Sequence, residues 1–250
     1  MKKRKKAGKT ADGRVIVESN AYGEHTRAKR GTHKEAKLND RMKTSSVALT
    51  KANEDGKLIK SALEPYFFKP SPRLFWQRLL SVVRGSYDNN HQLRPEKFVG
   101  FDVYDEYRIT RLFSPQYMID GSQQSINATI RWDMAPDFKR KFPDGYMVAV
   151  VGIWIDAANN RWESAVKYSE AFPLSVNSGN CDFTFDNPIN SGFVLFFIKM
   201  NATEKKTFCK GAAASGFRCM WGKRLEDLAN DRIELVSAPT DELGEGLSLL

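Results

Sequence analysis

Ile126-Asn127-Ala128-Thr129-Ile130-Arg131-Trp132 alternates apolar and polar residues without a break. Successive side chains of a strand point to opposite faces, so a period of two describes a strand with one buried face and one wet face. Trp162-Glu163-Ser164-Ala165-Val166-Lys167-Tyr168 and Cys181-Asp182-Phe183-Thr184-Phe185 repeat the pattern. Two further runs, Tyr146 to Ile155 and Phe193 to Met200, are apolar on both parities. They read as central strands covered on both faces. Val99-Gly100-Phe101-Asp102-Val103-Tyr104 opens the series, and turn residues such as Pro143-Asp144-Gly145, Ala158-Asn159-Asn160 and Asn187-Pro188 punctuate it. Short strands with no helical stretch between them predict an antiparallel β-sandwich over residues 97–236. Trp132, Trp154 and Trp162 then belong to its core. No strand–helix–strand alternation appears, which argues against a Rossmann-type nucleotide site.

Upstream, residues 34–96 read as a helical segment. Leu38, Met42, Val47, Leu49, Leu58, Ile59, Ala62 and Leu63 recur at roughly helical spacing, and Pro65 stops the pattern. Asn53-Glu54-Asp55-Gly56 leaves one long helix or two shorter ones open. The next helix is punctuated by Ser71 as N-cap, Pro72 at its first position and Gly85 after its last turn. Leu74, Phe75, Leu79, Leu80, Val82 and Val83 form its apolar face, expected to pack on the protein itself. Arg73, Arg78 and Arg84 fall mostly on its wet side. The fold class is therefore α+β: a basic arm over residues 1–33 with a short strand after Asp12-Gly13, the helical segment, the sandwich, and a flexible tail over 237–250.

Charge is distributed unevenly along the 250 residues, whose formal net charge is +9. Residues 1–60 hold 17 Lys/Arg and 7 Asp/Glu, a net of +10, whereas residues 61–250 hold 22 and 23, a net of −1. Lys2, Lys3, Arg4, Lys5, Lys6 and Lys9 crowd the start; Arg27, Lys29, Arg30, Lys34 and Lys37 form a second cluster. Such blocks attract polyanions through counterion release and need no exact geometry. Nucleic acid or another polyanion, met through residues 1–37, is one expected partner and another protein is the alternative; a solvated tail that only keeps the protein soluble is the reading without a partner. The apolar stretch Met147 to Ile155 is far shorter than the roughly 20 residues needed to span a bilayer as a helix. Residues 7–20 are polar where an export signal would be apolar, and Cys181, Cys209 and Cys219 form no paired spacing. Both features predict a cytoplasmic protein with reduced thiols.

Residues with catalytic potential are scattered. Gly8-Lys9-Thr10 lacks the first glycine and the strand of a phosphate-binding loop. His25, His33 and His91 show no metal-ligand spacing. Asp102, Asp105 and Glu106, or Asp182 and Asp186, are candidate paired carboxylates, though the sequence favours neither set. No cofactor and no metal are expected.

Ala52-Asn53-Glu54-Asp55-Gly56-Lys57-Leu58-Ile59-Lys60-Ser61-Ala62-Leu63-Glu64-Pro65-Tyr66 resembles a helix found in a group of bacterial hypothetical proteins of about this length. Their pattern continues with a helix like Phe75-Trp76-Gln77-Arg78-Leu79-Leu80 and a phrase like Phe98-Val99-Gly100-Phe101-Asp102. The resemblance covers about residues 30–105; the lysine-rich start departs from it. It implies a bacterial source and a C-terminal β region, and it supplies no activity or site residue. The leading functional expectation is a non-enzymatic binding or scaffold protein. A non-specific nucleic-acid-associated protein, or an enzyme with its site in the β region, are the alternatives.

Overall fold

The computed structural model describes residues 15–19, 23–27, 39–68, 74–138, 143–205, 207–209, 214–230 and 234–237. The chain divides into two units, residues 1–47 and 48–250. In the first, β1 (Val15–Ser19) and β2 (Gly23–Arg27) form a hairpin in which Val15 lies opposite Arg27. A lone strand has no partner for its backbone groups, so the short run after Gly13 finds one in the next segment.

Helix α1 (Asp40–Leu63) begins at Asn39, whose Oδ1 accepts the Met42 amide at 2.8 Å, and gives way to a 3-10 turn containing Pro65. It runs through Asn53–Gly56 unbroken. Gly56 lies against the Trp76 ring, where a Cβ would come within 3.3 Å, and Tyr87 donates to Asp55. Tertiary packing at those two residues outweighs the helix-breaking tendency of Gly.

Helix α2 (Phe75–Gly85) buries Phe75, Leu79 and Val83, spaced by four along one face. The expected start at Ser71 and Pro72 lies outside the described residues. Leu74, expected on the apolar face, is 57% exposed: it precedes the helix at φ +58°, off the helical stripe.

The loop from Val99 to Tyr104 is not the predicted opening strand. It carries only an isolated bridge, Asp102 to Arg218. Phe101 turns back onto the Phe98 carbonyl and Gly100 takes φ +91°, so the pairing is confined to three backbone hydrogen bonds between residues 100–103 and 217–219. A four-residue helix, α3 (Ile109–Leu112), follows.

The remaining strands are β3 (Gln116–Gly121), β4 (Ser125–Trp132), β5 (Gly145–Asp156), β6 (Arg161–Tyr168), β7 (Phe172–Pro173), β8 (Gly179–Asp186), β9 (Phe193–Glu204), β10 (Thr207–Phe208), β11 (Ser215–Arg224) and β12 (Glu234–Ser237). Every pairing is antiparallel. One sheet runs β6-β5-β9-β11, with β7 beside β5 and β10 beside β9; the other runs β12-β3-β4-β8.

The two sheets pack face to face. Val148, Val150 and Trp154 of β5 and Val194, Phe196 and Ile198 of β9 meet Ile119, Ile126, Ile130, Phe183 and Phe185 of the second sheet. On the reverse face of the first sheet, Val151, Ile153, Leu195, Phe197 and Phe217 pack against Ile59 and Leu63 of α1 and Phe75, Leu79 and Val83 of α2. This helical layer explains why β5 and β9 are apolar on both parities. Trp132 and Trp154 are core, but Trp162 is 37% exposed. It lies opposite Ile155 on the edge strand β6, so its face is the helix-covered one, at the rim of the cover.

Candidate functional site

Six charged side chains, Arg78, Lys97, Asp102, Asp105, Arg108 and Arg218, line a cleft of about 470 Å³ bounded by α2, the 97–108 loop and β11. Arg78 leaves α2 and turns its guanidinium onto the loop. Nη1 donates to the Asp102 carbonyl and Nη2 to the Val103 carbonyl, both at 2.7 Å. The fork geometry of arginine suits two successive carbonyls. Its Nε–H is buried with no acceptor, and the guanidinium stands 5.6 Å from the centre of the Phe101 ring. Arg78, expected on the wet side of its helix, thus fastens the loop instead. Both of its hydrogen-bonded partners are neutral, and the nearest carboxylate, Asp105, is 3.9 Å away.

Asp105 already accepts from Arg108 at 3.0 Å. Asp102 is 3.1 Å from Arg218 Nη1 and also accepts the Ile109 amide at 3.3 Å. Gly100 lets that guanidinium approach, since a Cβ there would come within 3.3 Å of Arg218 Nη2. Its φ of +91° is a second reason for glycine at this position. Lys97 stands on the rim. Four cations, Arg78, Lys97, Arg108 and Arg218, therefore share two carboxylates around one opening. The arrangement presents N–H donors to an anion. Asp102 and Asp105 each face an arginine across this opening.

The other carboxylate candidates lie elsewhere. Asp182 accepts from Thr129 at 2.6 Å on the outer face of the second sheet, and Asp186 is exposed at the end of β8. His91 is an exposed turn residue at φ +57°; His25 sits in β2, and His33 lies outside the described residues. Among the described residues, no three His, Cys, Asp or Glu side chains gather as metal ligands. Burial pushes the Cys219 thiol well above its ordinary range. It also raises Cys181, helped by Glu170 and Asp182, to about 11.

A buried polar strip runs along the helix-facing side of β9 and β11. Lys199 is 6% exposed and donates to the Tyr66 carbonyl at 2.7 Å, with Phe68 and Phe217 rings 4.4 and 5.6 Å from its Nζ. Burial lowers its pKa to about 8. Beside it Ser215 donates to Asn201 at 3.1 Å. A wider groove of about 600 Å³ borders Thr50, Asn53, Glu54, Lys57, Lys60 and Trp76 on the open side of α1.

Of the residues expected to meet a polyanion, Arg27 falls in β2. Lys2, Lys3, Arg4, Lys5, Lys6, Lys9, Lys29, Arg30 and Lys34 lie outside the described residues. The cleft arginines were not among them. Their one signal in the sequence is Arg218, a charge inside the otherwise apolar run Phe217 to Trp221. Comparison of the chain with protein-family models, curated proteins and solved structures returns no match in any of the three. Among the described residues, no helix is long and apolar enough to cross a membrane.

Proposed function

We propose that this is a binding protein whose basic N-terminal segment meets a polyanionic partner. The observation that carries the reading is the partition of charge, +10 over residues 1–60 against −1 over the rest. The first part of α1 supports it. Every residue from Asn39 to Lys51 is exposed, and this stretch carries Arg41, Lys43 and Lys51 against one acid, Asp40. Lysine dominates residues 2–9, and no aromatic residue stands among them. Lysine acts as a point charge without the fork that reads a guanine edge, so the contact is with phosphates and is indifferent to base sequence.

Gel-shift titration of the full chain against duplex DNA at several salt concentrations tests the reading. With about 5 phosphates neutralised, log K falls with log salt at a slope of about −4 to −5. Replacing Lys2, Lys3, Lys5, Lys6 and Lys9 with Gln flattens that slope and leaves the melting temperature unchanged. Binding that ignores salt overturns the reading. So does the absence of binding to DNA, RNA and heparin at low salt, which leaves an acidic protein surface as the partner.

A further inference from the structure

We infer that the cleft between α2, the 97–108 loop and β11 is a binding site for a small phosphate monoester, separate from any contact made by the N-terminal segment.

The charge count comes first. Arg78, Lys97, Arg108 and Arg218 face Asp102 and Asp105, leaving two positive charges uncompensated around one opening. Asp102 is committed to Arg218 at 3.1 Å and Asp105 to Arg108 at 3.0 Å. Arg78 spends both terminal nitrogens on the neutral Asp102 and Val103 carbonyls, and its nearest carboxylate, Asp105 at 3.9 Å, is shared with Arg108. Lys97 has no carboxylate within ion-pair distance among the described residues. A phosphate monoester carries about −1.5 to −2 at neutral pH and three acceptor oxygens, which matches an excess of two. A diester carries one charge per phosphate and matches it less well.

The second argument is construction. The guanidiniums are held in place before any ligand arrives: Arg78 by two carbonyls, Arg218 by a buried carboxylate and by Thr110 at 3.4 Å. Fixed donors lose little conformational freedom on binding, which favours affinity. Gly100 keeps the space beside the Arg218 guanidinium free of a side chain. The third argument is the wall. Val82, Val99 and Phe101 border the same opening and offer apolar contact to the organic part of an ester.

The test is calorimetric titration of the full-length protein with phenyl phosphate, with phenyl sulfate as the singly charged isostere. Saturable one-site binding of phenyl phosphate is expected, about tenfold tighter than that of phenyl sulfate. The rim variant Lys97→Gln/Arg108→Gln changes exposed or half-exposed side chains and keeps the fold, as its circular dichroism verifies. It should bind phenyl phosphate at least about tenfold more weakly. Gly100→Ala, which places a methyl group beside Arg218, should weaken it as well. The variant with Lys2, Lys3, Lys5, Lys6 and Lys9 changed to Gln should bind it like the wild type.

Three results overturn the inference: no saturation by about 10 mM ligand, equal affinity in the folded rim variant, or loss of binding in the lysine variant. The last would assign the phosphate to the N-terminal segment. Failure of DNA binding with phenyl phosphate binding intact would overturn the proposed function and leave the cleft standing.

Discussion

Arg218 Nη1 and Asp102 Oδ2 meet at 3.1 Å, with only 11% and 8% of their side chains exposed, and thereby tie the loop after α2 to β11. Their sequence separation of 116 residues makes the pair a long-range clamp. Removing one partner of a buried pair strands the other charge, which typically costs about 3–5 kcal/mol. Asp102→Ala should destabilise the protein by about 3 kcal/mol in urea denaturation. Asp102→Ala/Arg218→Ala should cost less than the two single changes added together. Strict additivity would show that the two side chains do not interact.

Phe196 is fully buried, with the Trp154, Phe185 and Trp221 rings 5.0 to 5.8 Å from its own. Phe196→Ala should cost about 3–5 kcal/mol, the range for emptying an aromatic site in a packed core. A loss below about 1 kcal/mol would mean that the two sheets do not pack at this point.

Lys199 should make stability rise with pH. Its folded pKa of about 8 lies below the ordinary 10.5, so between these values the unfolded chain holds more protons than the folded one. The cost of burying the charge is fully present below pH 8 and is relieved as pH climbs toward 10.5. The shift corresponds to about 3 kcal/mol. Lys199→Met should be as stable as the wild type or more so at pH 7. That advantage should shrink by about 2 kcal/mol on going to pH 10. Parallel stability curves for the two proteins would refute this.

The thiols should be slow. Cys219 is fully buried, and Cys181 at about 11 holds very little thiolate at pH 8. A disulfide reagent such as Ellman's should titrate both promptly only after denaturant is added. Rapid modification of Cys181 or Cys219 in the native protein at pH 8, located by peptide mapping, would show that the sheet opens at β8 or β11.

The strands were legible in the sequence because alternation records which face of a strand is wet, and β4, β6 and β8 fall where it places them. The doubly apolar runs likewise became β5 and β9 at the centre of the larger sheet. Strand β11 was missed: a bulge between Cys219 and Trp221 shifts its pairing and scrambles its alternation. Leu74 and Trp162 were misplaced because an apolar residue states only a preference for burial, whereas exposure depends on where the neighbouring element ends.

Local pattern alone determined the α+β class, the short strand after Gly13, the stop of α1 at Pro65 and the segregation of charge, because each follows from residues close together in the chain. Tertiary structure decided that the helices cover the second face of the larger sheet. It also drew Arg78, Lys97, Arg108 and Arg218 around one opening. These four residues span α2, a loop and β11, more than a hundred positions apart, and all but Arg218 read singly as ordinary solvated charges. Their meeting depends on the antiparallel order of β5, β9 and β11 and on a turn at Gly100, long-range pairings that no local periodicity encodes.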